Sequence, residues 1–131
     1  MPRRLSGVIT LKAKDPHFPG SDSFDQKDTT IDVVLTEGDA PLKLGITPAD
    51  ANNRVFVWCD VFASCTQNGD IQLIGSAAEN VGDNNNLALT EIHEVLPIEA
   101  NVTKQVVLLD DGSSHQGWIF FNQLRNLNPN P

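Results

Sequence analysis

The chain has 131 residues, 40% of them hydrophobic, and a formal net charge of −8 from 17 acidic against 9 basic side chains. This length is that of one ordinary domain, able to bury about two thirds of the surface its unfolded chain would expose, and the reading is a single domain over 1–131 ending in a short tail at 126–131. An acidic surface repels phosphate, so nucleic acid is excluded as a natural partner. The longest apolar runs, Val106 to Leu109 and Trp118 to Phe121, fall far short of the roughly 20 residues a membrane helix needs, so no membrane insertion is expected.

The start, Met1 to Arg4, is basic but is followed by a broken stretch and not by a signal-type apolar region, which points to the cytosol. Leu5 to Ala13 alternates apolar with polar residues, the period of a half-buried strand. Lys14 to Asp28 reads as a loop with Pro16, Pro19, Gly20 and four aspartates, longer than the usual connection of about 4 to 6 residues. Thr29 to Glu37 alternates again, and Leu42 to Ile46, bracketed by Pro41 and Pro48, suits an edge strand. Residues 48–53 lead onward through a turn of helix.

Arg54 to Ala77 forms the centre of the pattern. Val55 to Cys65 and Ile71 to Ala77 flank Gln67, Asn68, Gly69 and Asp70; Asn-Gly accepts the positive φ of a tight hairpin turn cheaply. Both faces of the first strand are apolar, Val55, Val57, Cys59, Val61, Ala63 and Cys65 on one, Phe56, Trp58 and Phe62 with Asp60 on the other. Such a strand is central and covered on both sides, or meets a partner with its outer face. Cys59 and Cys65, six residues apart on it, are separated by about 20 Å. A disulfide needs Cα atoms within about 7 Å, so the thiols are expected to be free, as suits a reducing compartment.

Ala78 to Asn86 reads as a second polar loop; Leu87 to Leu96 fits either a helical stripe through Leu89, Ile92, His93 and Leu96 or an imperfect strand, the strand being preferred among so many strands, and Pro97 ends either one; Asn101 to Leu109 reads as a strand, Asp110 to Gly117 as a hairpin loop and Trp118 to Leu124 as the last strand. Seven or eight short strands without interleaved helices predict an all-β fold, an antiparallel β-sandwich, with a small β-barrel as the alternative.

Two sets of residues carry functional expectations. Phe56, Trp58 and Phe62, and Trp118 with Phe120, are candidates for an open sheet face that stacks on a sugar ring or anchors a protein. The three polar loops emerge at one end if strands alternate up and down, and Asp22, Asp25, Asp28, Asp83, Asp110 and Asp111 are hard oxygen ligands of the kind calcium takes in sixes to eights. Their spacing does not match an EF-hand loop. No nucleophile elbow, phosphate loop or His-Glu metal motif is present, leaving His93 and His115 as the groups a hydrolase would use. The leading expectation is a non-enzymatic binding module that requires no cofactor and engages a protein partner, a second copy of itself, a small ligand or a carbohydrate. A calcium-binding sandwich is the alternative and a hydrolase the third reading.

Overall fold

The computed structural model describes residues 2–16, 20–82, 86–110 and 114–129. Among them are nine strands and no helix: β1 (Pro2–Asp15), β2 (Ser23–Thr36), β3 (Leu42–Lys43), β4 (Ala49–Ala51), β5 (Val55–Cys65), β6 (Ile71–Val81), β7 (Asn86–Leu96), β8 (Asn101–Asp110) and β9 (Gln116–Leu127). One sheet has the order β2-β1-β9-β8; the other runs β3-β5-β6-β7, with β4 also paired to β5. Every pairing is antiparallel. Both sheets keep free edges, so the fold is an open sandwich and not a closed barrel.

Alternation decides what lies between the sheets. Along β5 the residues Val55, Val57, Cys59, Val61, Ala63 and Cys65 are all buried. They meet Leu5, Ile9, Leu11 and Ala13 of β1 and Ile119, Phe121 and Leu124 of β9 in one core. The β-branched face of β5 therefore closes the sandwich, and its aromatic face looks out. Both cysteines are buried and neither is in a disulfide, as the strand spacing predicts.

Several boundaries differ from the sequence reading. The loop read at 14–28 shrinks because Ser23 to Asp28 pair along β1, register Asp15↔Ser23 through Thr10↔Asp28; the aspartates of that stretch are edge-strand residues, where charge deters further pairing. The run at 48–53 contains β4 and not a helical turn. Ala78 to Val81 continue β6, and the tail begins later than 126, since Asn126 and Leu127 belong to β9 and Asn126 is fully buried.

The middle of the four-stranded sheet is irregular. Register shifts occur between Ser6 and Val8 against β9, and between Val102 and Lys104 and between Gln105 and Val107 against β9. The first two reflect one extra residue in β9 around Asn122 and Gln123, with Gln123 at φ 48° and its backbone N–H donating to Thr103 Oγ1 at 2.9 Å. A bulge of this kind bends the strand, and it also resets the alternation: Phe121 and Leu124 both point inward, three residues apart. Gly7 sits opposite at φ 145°, and a Cβ there would come within 2.5 Å of the Gln123 carbonyl oxygen.

Candidate functional site

The outer face of the five-stranded sheet can be read from its register. Cross-strand rows place Phe56 beside Asn80 and Leu87, Trp58 beside Ala78 and Leu89, Asp60 beside Ser76 and Glu91, Phe62 beside Ile74 and His93, and Gln72 beside Val95. Leu89 is 67% exposed and Leu87 52%, with Phe62, Ile74 and Val95 also exposed; Phe56 and Trp58 are half-buried. The three aromatics proposed from the sequence thus share one open face, which the described residues leave uncovered. A polar row of Asp60, Ser76 and Glu91 divides it, with Lys43 Nζ 3.4 Å from Asp60. On one side of that row a hollow of about 450 Å³ is lined by Pro41, Phe62, Ser64, Ile74 and Gly75.

Trp118 lies on the opposite side of the molecule, on the outer face of the four-stranded sheet. Lys12 of β1 stands between two rings there, its Nζ 4.7 Å from the Phe24 centroid and 5.5 Å from that of Trp118. Trp58 and Trp118 therefore belong to two separate surfaces.

The acidic residues do gather toward one end: β1, β6 and β8 finish there, and β2, β5, β7 and β9 start there. The aspartates proposed as ligands are nonetheless held individually. Asp22 lies 3.6 Å from Lys14 Nζ. Asp25 accepts from Lys27 Nζ at 2.7 and 2.8 Å and from the Asp50 amide at 2.7 Å, tying β2 to β4. Asp28 accepts from the Thr10 hydroxyl at 2.7 Å, and Asp110 from Gln116 Nε2 at 3.2 Å. Asp83 and Asp111 lie outside the described residues. Among the described residues no three His, Cys, Asp or Glu side chains are grouped as ion ligands.

Beneath that end lie buried polar side chains, of which the sequence reading singled out only His115. Asp15 and Glu79 are 0% exposed and His115 is 7%. His115 Nε2 is 3.6 Å and Arg54 Nε 4.0 Å from Asp15 Oδ1, and Asn52 Nδ2 donates to Asp15 Oδ2 at 3.3 Å. Asp15 and Glu79 looked like loop acids; the signal that could have found them is the inward parity they share with Ala13 and Ala77. The contacts of His115, Arg54 and Asn52 with Asp15 join the end of β1 to the residues just before β9 and β5 and just after β4. His93 is exposed on the apolar face.

Thiol chemistry is muted. Burial, with a smaller contribution from Asp60, pushes the Cys59 thiol up to about 12, and burial likewise raises that of Cys65. Compared with protein-family models, with curated proteins and with solved structures, the chain matches none.

Proposed function

We propose that the protein is a non-enzymatic binding module whose five-stranded sheet takes another protein surface on its outer face, in the first place a second copy of this chain. The observation that supports this reading is the set of large apolar side chains, Phe56, Trp58, Phe62, Ile74, Leu87, Leu89 and Val95, on one uncovered face. So many exposed apolar side chains on one sheet face, on either side of the polar row, are uncommon on proteins that work alone. The contact centres on the end bearing Phe56, Trp58, Ala78, Leu87 and Leu89, because two copies meeting across the row of Asp60 and Glu91 would set acid against acid. β7 is also an edge strand, and from Leu87 to Thr90 it carries neither charge nor proline, the devices that keep edges from pairing.

The test is sedimentation velocity on the purified chain from micromolar to sub-millimolar concentration. A concentration-dependent dimer is expected, weakened at least tenfold by Leu89→Asp and by Trp58→Ala, with the thermal transition of each variant retained. Added salt should strengthen the association, since it screens repulsion between two chains of charge −8. A strictly monomeric protein at every concentration and salt level overturns the reading, as does a dimer indifferent to both substitutions.

A further inference from the structure

The bulged middle of the four-stranded sheet opens two adjoining hollows on its outer face, of about 420 and 390 Å³, which share Asn122. Each falls within the roughly 300 to 1,000 Å³ of small-ligand sites. We infer that together they bind a neutral carbohydrate chain laid along β9, independently of the apolar face on the other sheet.

Four observations lead there. The first is position: the hollows lie where the register slips, around Gly7, Thr103 and Gln123, and bulges that re-aim side chains are found preferentially beside functional sites. Gln123 also holds a positive φ that a residue with a side chain adopts at some cost.

The second is the lining. Gln26, Gln105 and Asn122 bring side-chain amides to the first hollow, and Gln123 to the second. Each amide offers both donors and an acceptor, the complement of neighbouring sugar hydroxyls, which also donate and accept. Asp28 accepts from the Thr10 hydroxyl at 2.7 Å, which leaves the lone pairs of that oxygen as acceptors, and from Gln26 Nε2 at 3.4 Å, which engages one donor of that amide.

The third is the aromatic wall. Phe120 lines the first hollow, and Trp118 follows on the same face two residues away along β9, about 7 Å. Both rings are half-buried. A flat ring beside convergent polar groups suits the weakly apolar face of a pyranose better than it suits an apolar side chain, which would ask for a dry pocket.

The fourth is charge. Arg4, Lys12, Lys14 and Arg125 stand on this face against Asp22, Asp28, Asp32 and Asp110, so the acidity of the whole chain is not expressed here. Lys104, which borders the first hollow, is drawn to Glu94 Oε2 on β7 at 2.9 Å. Arg4 is occupied by Asp32 at 2.7 and 2.9 Å. A face balanced in this way recruits neither a polyanion nor a basic peptide.

The experiment is a heteronuclear NMR titration of the intact chain with cellohexaose, xylohexaose, maltohexaose and chitohexaose in turn. At least one should give saturable shifts of the side-chain amides of Gln26, Gln105 and Asn122 and of the Trp118 indole N–H. Asn122→Ala and Gln26→Ala, both at exposed positions, should each weaken that binding tenfold or more at an unchanged melting temperature. Absence of shifts with all four sugars overturns the inference. So do shifts confined to other surfaces, binding that survives both substitutions, or a response to hexalysine or a sulfated hexasaccharide in place of the neutral chains.

Discussion

Single side chains fasten both ends of the sandwich. At the end opposite the acidic loops, Asn126 donates to the carbonyls of Gly69 at 2.9 Å and Leu96 at 2.8 Å and accepts from Arg3 Nε at 2.8 Å. It thereby ties β9 to the β5–β6 turn, the end of β7 and the start of β1. Asn126→Ala strands two buried carbonyls and part of a buried guanidinium, and should cost about 3 kcal/mol by chemical denaturation, since each orphaned buried group carries its full desolvation penalty. Asp25 gives a pH signature. Burial alone would raise its carboxyl, but the bonds from Lys27 and the Asp50 amide outweigh that and hold it below its ordinary 3.8. A carboxylate depressed by folding stabilises fully above 3.8 and loses that contribution as pH falls through its lower folded value. Thermal melts of wild type and Asp25→Asn should therefore differ most near neutral pH and converge in strong acid; a constant difference would refute the assignment. Cys59, its thiol held near 12, should react with iodoacetamide at neutral pH only as the protein unfolds, at a rate that rises steeply with denaturant.

Strand existence was legible because alternation is a local property. β5 and the Asn-Gly turn after it announced themselves, but both faces of Val55 to Cys65 are apolar, so alternation alone left open which one turns inward, and the partners on β1 and β9 decide it. Boundaries were less legible where an edge strand is polar: Ser23 to Asp28 has no apolar stripe to display, and only its pairing with β1 makes it a strand. Bulges were invisible for a different reason. The extra residue of β9 is defined by its neighbours on β1 and β8, so the run from Phe121 to Leu124 reads as broken alternation until the partners are placed. Only the β5 members of the apolar face, Phe56, Trp58 and Phe62, were legible; Ile74, Leu87, Leu89 and Val95 join them through register, and the buried Asp15–His115 contact, joining residues 100 apart, was not legible at all. Gly75 of β6 shows the same dependence on partners. A Cβ there would overlap the backbone carbonyl of Asp60 on β5, so the two strands meet more closely than side chains allow. Gly75→Ala must push them apart, and should lower stability by about 1–3 kcal/mol, the usual range for overpacking, whereas Gly45→Ala, with nothing within 4 Å of its Cβ position, should change it little.

For the molecule as a whole the decisive fact is that β9, the last strand in sequence, lies between β1 and β8. It pairs with β1 from Arg4↔Leu127 to Lys14↔Gln116, so the first sheet cannot form until the two ends of the chain have met. Such long-range pairing makes folding slow, in the range of milliseconds to seconds, and makes the sheet conditional on one element. A chain ending at Ser114 loses Ile119, Phe121 and Leu124 from the core, leaves β1 and β8 with unpaired edges and removes Asn126 from its clasp. It should show no cooperative thermal transition by circular dichroism. A synthetic peptide spanning 115–129, added in excess, should restore the transition, because it supplies the missing middle strand as a separate ligand of the folded state. By contrast, substituting Leu42 and Lys43 of β3 with serine touches a two-residue edge pairing and the surface contact of Lys43 with Asp60 and should leave the transition cooperative. Cooperative unfolding of the truncated chain by itself would mean that β1 and β8 find another arrangement, and that β9 is not the element on which the four-stranded sheet depends.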